Sequence, residues 1–93
     1  LSINGALTGG DAAESIKQEL RVRRSQFESD LRARFERAKS EGDLPNAADP
    51  AALARYIATI SQGLAVQAVG GAKRDELKKI VEMVLMTWPP VAA

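Results

Sequence analysis

Cysteine and histidine are both absent from this 93-residue chain. Without cysteine there is no disulfide, no thiolate nucleophile and no cysteine-ligated zinc. Without histidine the chain lacks the usual proton shuttle at neutral pH and the commonest metal ligand. The glycine-rich stretch at residues 8–11 is followed by no Lys-Ser or Lys-Thr, so it does not match a phosphate-binding loop. We therefore expect no enzyme, no metal and no cofactor.

A strong excess of one charge is also missing. The chain has 13 Lys and Arg against 12 Asp and Glu, for a net charge of +1. This balance gives no whole-chain reason to expect nucleic acid or an anionic membrane as a partner. Ninety-three residues make one small domain, residues 1–93. So short a chain buries a small share of its surface, and burial against a partner would help to stabilise it.

The apolar stretch at residues 1–7 has neither the basic start nor the long apolar run of a signal peptide. The chain begins with Leu1 rather than Met. We interpret the stretch as the end of a truncated N-terminal helix, and the chain as part of a longer protein.

The remaining sequence has helical spacing throughout and no clear alternating pattern typical of a strand. Asp11 and Glu14 predict a capping box at the start of a first helix, after a break at the glycines. This helix should stop near Glu41, because Gly42 suits a position just past a helix end and Pro45 follows. The apolar stripe along it consists of Ile16, Leu20, Phe27, Leu31, Phe35 and Ala38.

The other faces of the first helix are charged. Four pairs at i,i+4 spacing are predicted: Glu19–Arg23, Glu28–Arg32, Asp30–Arg34 and Arg37–Glu41. The basic run at 21–24 fits either phosphate binding or a solvated helix face, and nearby glutamates favour the solvated face. Arg24 is the exception, because it falls in the gap between Leu20 and Phe27 on the apolar stripe. It either extends along the apolar surface into water or faces a cavity and binds a polar or anionic ligand.

Two further helices are predicted, over residues 50–69 and 74–88. Asp49 followed by Pro50 is a strong start signal, and Gly70-Gly71 ends the second helix. Asp75 and Glu76 suit the first turn of the third helix. The apolar stripe of this helix follows the i, i+3, i+4, i+7 series and consists of Leu77, Ile80, Val81, Val84, Leu85 and Trp88. Met83 and Met86 lie beside this stripe and widen the apolar surface.

The 17 residues between Arg55 and Lys73 carry no charge. The apolar arc of this second helix covers roughly 220°, whereas a surface helix needs only about 100°. A membrane span is disfavoured because the segment contains two glutamines and three glycines. Burial within one chain is possible, but three helices offer little surface for it. We favour burial against a second copy, with two helices from each chain forming a four-helix bundle.

Several stretches, taken in order and spacing, resemble the C-terminal domain of TetR/AcrR-type bacterial transcriptional regulators. Residues 1–7 are similar to the end of the preceding helix in that family, and Lys73 departs from the Ser or Thr cap that is common there. The matching stretches are AKSEGDLP (38–45), DPAALARY (49–56), QGLAVQA (62–68), GAKRDEL (71–77) and WP (88–89).

The resemblance implies an all-α helical bundle of about three helices, dimerising through a four-helix bundle in the bacterial cytoplasm. It also implies a small, apolar or aromatic effector whose binding repositions an N-terminal helix-turn-helix, so that a repressor leaves its operator. That DNA-binding domain is not within these 93 residues. We expect no membrane partner. The alternative is a plain helical dimerisation or protein-interaction module that binds no ligand.

Candidate residues follow from the helical faces and stay predictions at this point. The effector-pocket candidates are Arg24, Phe27, Leu31, Tyr56 and Ile60. The dimer-interface candidates are Thr59, Gly63, Val66, Met83, Val84 and Met86.

Overall fold

The computed structural model describes residues 9–91, and over that range the chain is all-α. Its helices are α1 (Gly9–Ser40), α2 (Pro50–Val69) and α3 (Arg74–Met86). The predicted all-α class is confirmed, and the bounds of α2 are those that the sequence predicts. The interpreted helix end at residues 1–7 lies outside the described residues.

Two glycines set the turns between the helices. Gly42 and Gly71 have φ angles of +84° and +99°, a region that side chains with a Cβ rarely adopt. After α1, the Gly42 amide donates to the Lys39 carbonyl and the Asp43 amide to the Ala38 carbonyl, which is a Schellman motif. The Gly71 and Ala72 amides form the same pattern after α2. Both helix ends are therefore fixed by local backbone bonds.

The start of α2 is held by its predicted cap. The Asp49 carboxylate accepts hydrogen bonds from the amides of Ala51 and Ala52 at 3.1 and 3.2 Å. Pro50 occupies the first helical position, where its missing N–H costs no intrahelical bond. At the start of α3, Lys73 cannot accept a bond through its ammonium group. Instead the Glu76 carboxylate accepts from the Lys73 amide at 2.8 Å.

The predicted start of α1 is wrong. The helix already includes Gly9 and Gly10, and Asp11 lies in its first turn instead of capping it. A glycine inside a helix costs only about 1 kcal/mol relative to alanine, so two of them need not stop it. A carboxylate in the first turn is favoured by the helix dipole wherever the cap lies. Glu14 contacts Arg21 at 3.5 Å.

The predicted end of α3 is also wrong, since the helix ends at Met86 and not at Trp88. The Thr87 and Trp88 amides donate to carbonyls three residues earlier, which tightens the last turn. Pro89 disfavours the helical conformation at the residue before it. Trp88 therefore leaves the helix and points into the protein.

The core lies where the loop after α1 meets the beginning of α2. Its buried apolar residues are Leu44, Ala48, Leu53 and Ala54. Phe35, Ala38 and Trp88 pack against this cluster. The Trp88 ring lies 5.5 Å from the Phe35 ring and 6.4 Å from the Tyr56 ring, measured between centroids. One tryptophan thus joins α1, α2 and the segment after α3.

Only half of the predicted apolar stripe of α1 is covered. Leu31, Phe35 and Ala38 are half-buried, whereas Ile16, Leu20 and Phe27 are exposed. Two of the predicted ion pairs form, Glu19–Arg23 at 2.8 Å and Arg37–Glu41 at 3.1 Å.

The other two predicted pairs are replaced by different partners. Arg32 contacts Glu36 instead of Glu28. Asp30 accepts a hydrogen bond from Gln26. Neighbouring groups on the same helix face therefore compete for one partner, and spacing alone does not decide between them.

Replacing Trp88 by alanine should lower the free energy of unfolding by about 3 kcal/mol, because contacts with two rings and the core cluster are lost together. Urea unfolding followed by far-UV circular dichroism, at one fixed protein concentration, measures this loss. Trp88→Phe keeps a ring at the position and should lose clearly less. An alanine variant as stable as the wild type would show that this ring cluster does not hold the helices together.

Candidate ligand cleft and apolar face

A cleft of about 690 Å³ lies between α1 and α2, beyond the end of the core. The α1 wall extends from Leu20 to Glu28, and the α2 wall extends from Arg55 to Ala65. The packed residues that hold the two helices together lie nearer the loop. The volume is within the range of about 300–1,000 Å³ that is typical of small-molecule sites.

An ion pair between the helices closes one side of this cleft. The Arg55 Nε donates to both carboxylate oxygens of Glu28, at 3.0 and 2.9 Å. Glu28 is half-buried, and both residues line the cleft. The pair fixes α2 against α1 at one position. The Thr59 hydroxyl donates to the Arg55 carbonyl at 2.7 Å, which directs this hydroxyl towards its own helix.

The five predicted pocket residues do not form one site. Arg24 and Phe27 line the cleft. Tyr56 instead stacks near Trp88 in the core, and Ile60 faces a separate groove between α2 and α3. Leu31 is half-buried on α1, one turn nearer the core than Phe27. The pocket assignment stays a prediction, now centred on Arg24 and Phe27.

The cleft also contains residues that sequence reasoning missed. Arg55 and Gln62 are not among the predicted pocket residues, yet both line the α2 wall. Their seven-residue spacing places them on one face of the helix, two turns apart, and this spacing in the sequence could have identified them as a pair. The sequence did not predict the Glu28–Arg55 ion pair, because Arg32 at i,i+4 was the more obvious partner for Glu28.

The second feature is a groove of about 420 Å³ between α2 and α3. Gly63 lies on its wall, and a Cβ added there would meet no atom within 4 Å. The opposite wall includes Leu77 and Ile80 of α3. Helical spacing places Met83 one turn beyond Ile80, on the same side of α3.

The predicted dimer-interface residues fall on more than one surface. Gly63 lines the α2–α3 groove, while Thr59 lines the cleft with α1. Val66, Met83 and Met86 are exposed, and Val84 is half-buried. Their assignment to an interface stays a prediction. We call the exposed apolar surface around Gly63, Val66 and α3 the apolar face.

No helix within residues 9–91 is both long enough and apolar enough to cross a membrane. The same residues contain no cluster of three or more acidic side chains that could hold a metal ion.

Comparisons of the chain with protein-family models, with curated proteins and with solved structures found no match. The resemblance to TetR/AcrR-type regulators therefore stays a prediction from the quoted stretches.

A double-mutant cycle on Glu28→Gln and Arg55→Met should give a coupling energy of about 0.5–1 kcal/mol, the upper part of the range for partly exposed pairs. Urea unfolding of the four proteins measures it. The matched control is the Arg37–Glu41 pair at the C-terminal end of α1, which should couple by about 0.3–0.5 kcal/mol. A coupling near zero for Glu28 and Arg55 would mean that this pair does not fix the two helices.

Proposed function

We propose that this chain is the homodimerising, effector-sensing part of a TetR-type transcriptional regulator, most simply a repressor released from its operator by a small effector. The main observation in favour of dimerisation is the exposure of the apolar side chains of α3. This helix contains no buried residue, although one of its faces is apolar. Met83, Leu85 and Met86 are 63, 66 and 84% exposed.

A short helix with an exposed apolar face is stabilised by packing against another molecule. The 13 residues of α3 are at the length where an isolated helix is only marginally stable in water, about 12–15 residues. In proteins, most helix stability comes from packing of an apolar face. In α3 only Leu77 and Val84 are half-buried, and the other residues are exposed. The rest of the apolar surface is available to another molecule.

The dimensions of the chain support the same proposal. The radius of gyration is 17.6 Å, whereas a compact chain of this length has about 12 Å. The accessible surface is 7386 Å² for 10.0 kDa, whereas a compact monomer of that mass exposes about 5,200 Å². The difference exceeds the roughly 800 Å² that each partner buries in a stable interface.

A second copy of this chain is the occupant that we propose for the apolar face. A two-fold axis would bring α2 and α3 of one copy against the same helices of its partner, as a four-helix bundle. The open position at Gly63 would allow close approach of the facing helix. The exposed methionines would supply adaptable packing. The resemblance to TetR-type regulators, which dimerise through their last two helices, supports this arrangement.

The cleft between α1 and α2 is the proposed effector site. In the family that the chain resembles, effector binding to this region shifts the dimer towards a conformation that cannot hold operator DNA. The DNA-reading domain of that family precedes this region and is not among the 93 residues. The proposed role of this chain is therefore to dimerise and to report the effector.

A plain interaction module is the second candidate. It is favoured by the exposure of Leu20 and Phe27, which are 47 and 44% accessible on the cleft wall. A site this open could be a packing surface for another protein segment. Both candidates share the dimer and differ in whether the cleft binds a small molecule.

Gly63→Arg should convert the dimer to a folded monomer. A Cβ added at this position meets no atom within 4 Å, and arginine is a better helix former than the mid-helical glycine that it replaces. At a dimer interface the same side chain would bury a charge without a partner. Sedimentation equilibrium measures the mass, and far-UV circular dichroism checks the helix content.

Gly10→Arg is the matched control for this variant. It makes the same change at an exposed helical glycine of α1, where a Cβ also meets no atom within 4 Å. This control should remain a dimer. A Gly63→Arg protein that stays dimeric would place the interface elsewhere, and a monomeric wild type would contradict dimerisation itself.

The sensing part is tested by thermal shift with a panel of small aromatic and aliphatic compounds. A compound present at 100 times its Kd should stabilise the folded state by about 2.7 kcal/mol. Stabilisation should grow with compound concentration, as mass action requires. If no compound shifts the Tm of the dimer, the interaction module becomes the better account.

A further inference from the structure

The charges that line the α1–α2 cleft are almost all paired. The cleft has four arginines and a single carboxylate, Glu28. Arg55 bonds Glu28 at 2.9 Å, and Arg23 bonds Glu19 at 2.8 Å. Arg21 contacts Glu14 at 3.5 Å and also donates to the Gln18 side chain at 3.0 Å.

Arg24 is the remaining cation, and among residues 9–91 it has no carboxylate within ion-pair distance. It lies in the gap of the apolar stripe of α1, between Leu20 and Phe27. All three residues line the cleft. An unpaired guanidinium is therefore placed directly beside exposed apolar surface. This combination differs from the neighbouring arginines, whose charge is balanced on their own helix or by α2.

We propose that the cleft binds an amphipathic monoanion, an apolar or aromatic body with one carboxylate, and that Arg24 is the residue that contacts the carboxylate. This inference rests on the proposed sensing function and names the chemical class of its effector. The Arg24 guanidinium suits a carboxylate, because its planar N–H donors can form two parallel hydrogen bonds to the two carboxylate oxygens.

The walls of the cleft fit the apolar body of such a ligand. Leu20 and Phe27 on α1 face Ala58 and Ala65 on α2 across the opening. The two alanines leave room, while the leucine and the phenylalanine provide contact area. Ser25, Ser61 and Gln62 add neutral hydrogen-bonding groups along the same walls.

The charged residues around the cleft favour a ligand with one negative charge over a ligand with several. A dianion would need a second free cation, and the other three arginines already have carboxylate partners. A polyanion such as nucleic acid would need a continuous basic surface. Here the carboxylates of Glu14, Glu19 and Glu28 pair with three of the four arginines. A single carboxylate on Arg24 leaves every existing pair intact.

The test uses two probes of equal shape, naphthalene-2-carboxylate and its neutral amide, naphthalene-2-carboxamide. Binding to the full 93-residue chain is measured by calorimetry at fixed salt. The wild type should bind the carboxylate roughly tenfold more tightly than the amide, as expected for a hydrogen-bonded charge pair. In Arg24→Met this preference should disappear, because methionine retains an apolar stem without the charge.

Arg34→Met is the matched control. Arg34 lies on the exposed surface of the same helix, outside the cleft lining, and the variant makes the same change in net charge. It should keep the tenfold preference. Arg24→Lys keeps the charge but loses the planar fork, and should retain part of the preference. Arg24 is exposed on the helix surface, so these variants should fold, which circular dichroism verifies.

Each remaining outcome contradicts a different statement. Equal binding of both probes by the wild type, or a preference that survives Arg24→Met, would overturn the role of Arg24 and leave the sensing function standing. An equal loss in Arg34→Met would show a general charge effect and overturn the proposal. Binding of neither probe would overturn the proposed ligand class; whether sensing also fails is then decided by the wider compound panel.

Discussion

The packing of Trp88 between the rings of Phe35 and Tyr56 is the contact on which the arrangement of the helices depends. α3 buries no residue of its own, so it is held mainly by what precedes and follows it. The Gly70-Gly71 turn fixes where it begins, and Trp88 fixes where the chain goes after it. The same tryptophan also joins α1 to α2 near the buried cluster. The buried apolar residues are therefore concentrated at one end of the molecule.

The other end is open, and α2 separates its two surfaces. One side of α2, with Arg55 and Gln62, forms a wall of the cleft. Another side, with Gly63 and Gln67, forms a wall of the groove beside the apolar face. Under the proposed function, a ligand inserted between α1 and α2 would act on the same helix that contacts the second copy. This shared helix gives a direct physical path from ligand binding to dimer geometry.

Local signals predicted the fold well where the backbone itself supplies the reason. Asp49-Pro50 and Gly70-Gly71 fixed both ends of α2, because a cap and a left-handed glycine act over a few residues. Long-range pairings were not predictable in the same way. The helical wheel shows which face is apolar but not which neighbour covers it. Tyr56 and Ile60, for example, share an apolar arc yet contact different surroundings. Arg24 could be identified from the sequence, because a charge that interrupts an apolar stripe is evident from one helix alone, without knowledge of its tertiary contacts.

The position of Trp88 has a spectroscopic consequence. The chain has one tryptophan and one tyrosine, and the two rings are 6.4 Å apart in the core. Neither residue lines the cleft. The intrinsic emission of this protein therefore arises from a single locus and reports on the junction of the helices. It will follow loss of the fold closely, while occupancy of the cleft must be read through a label or through the ligand itself.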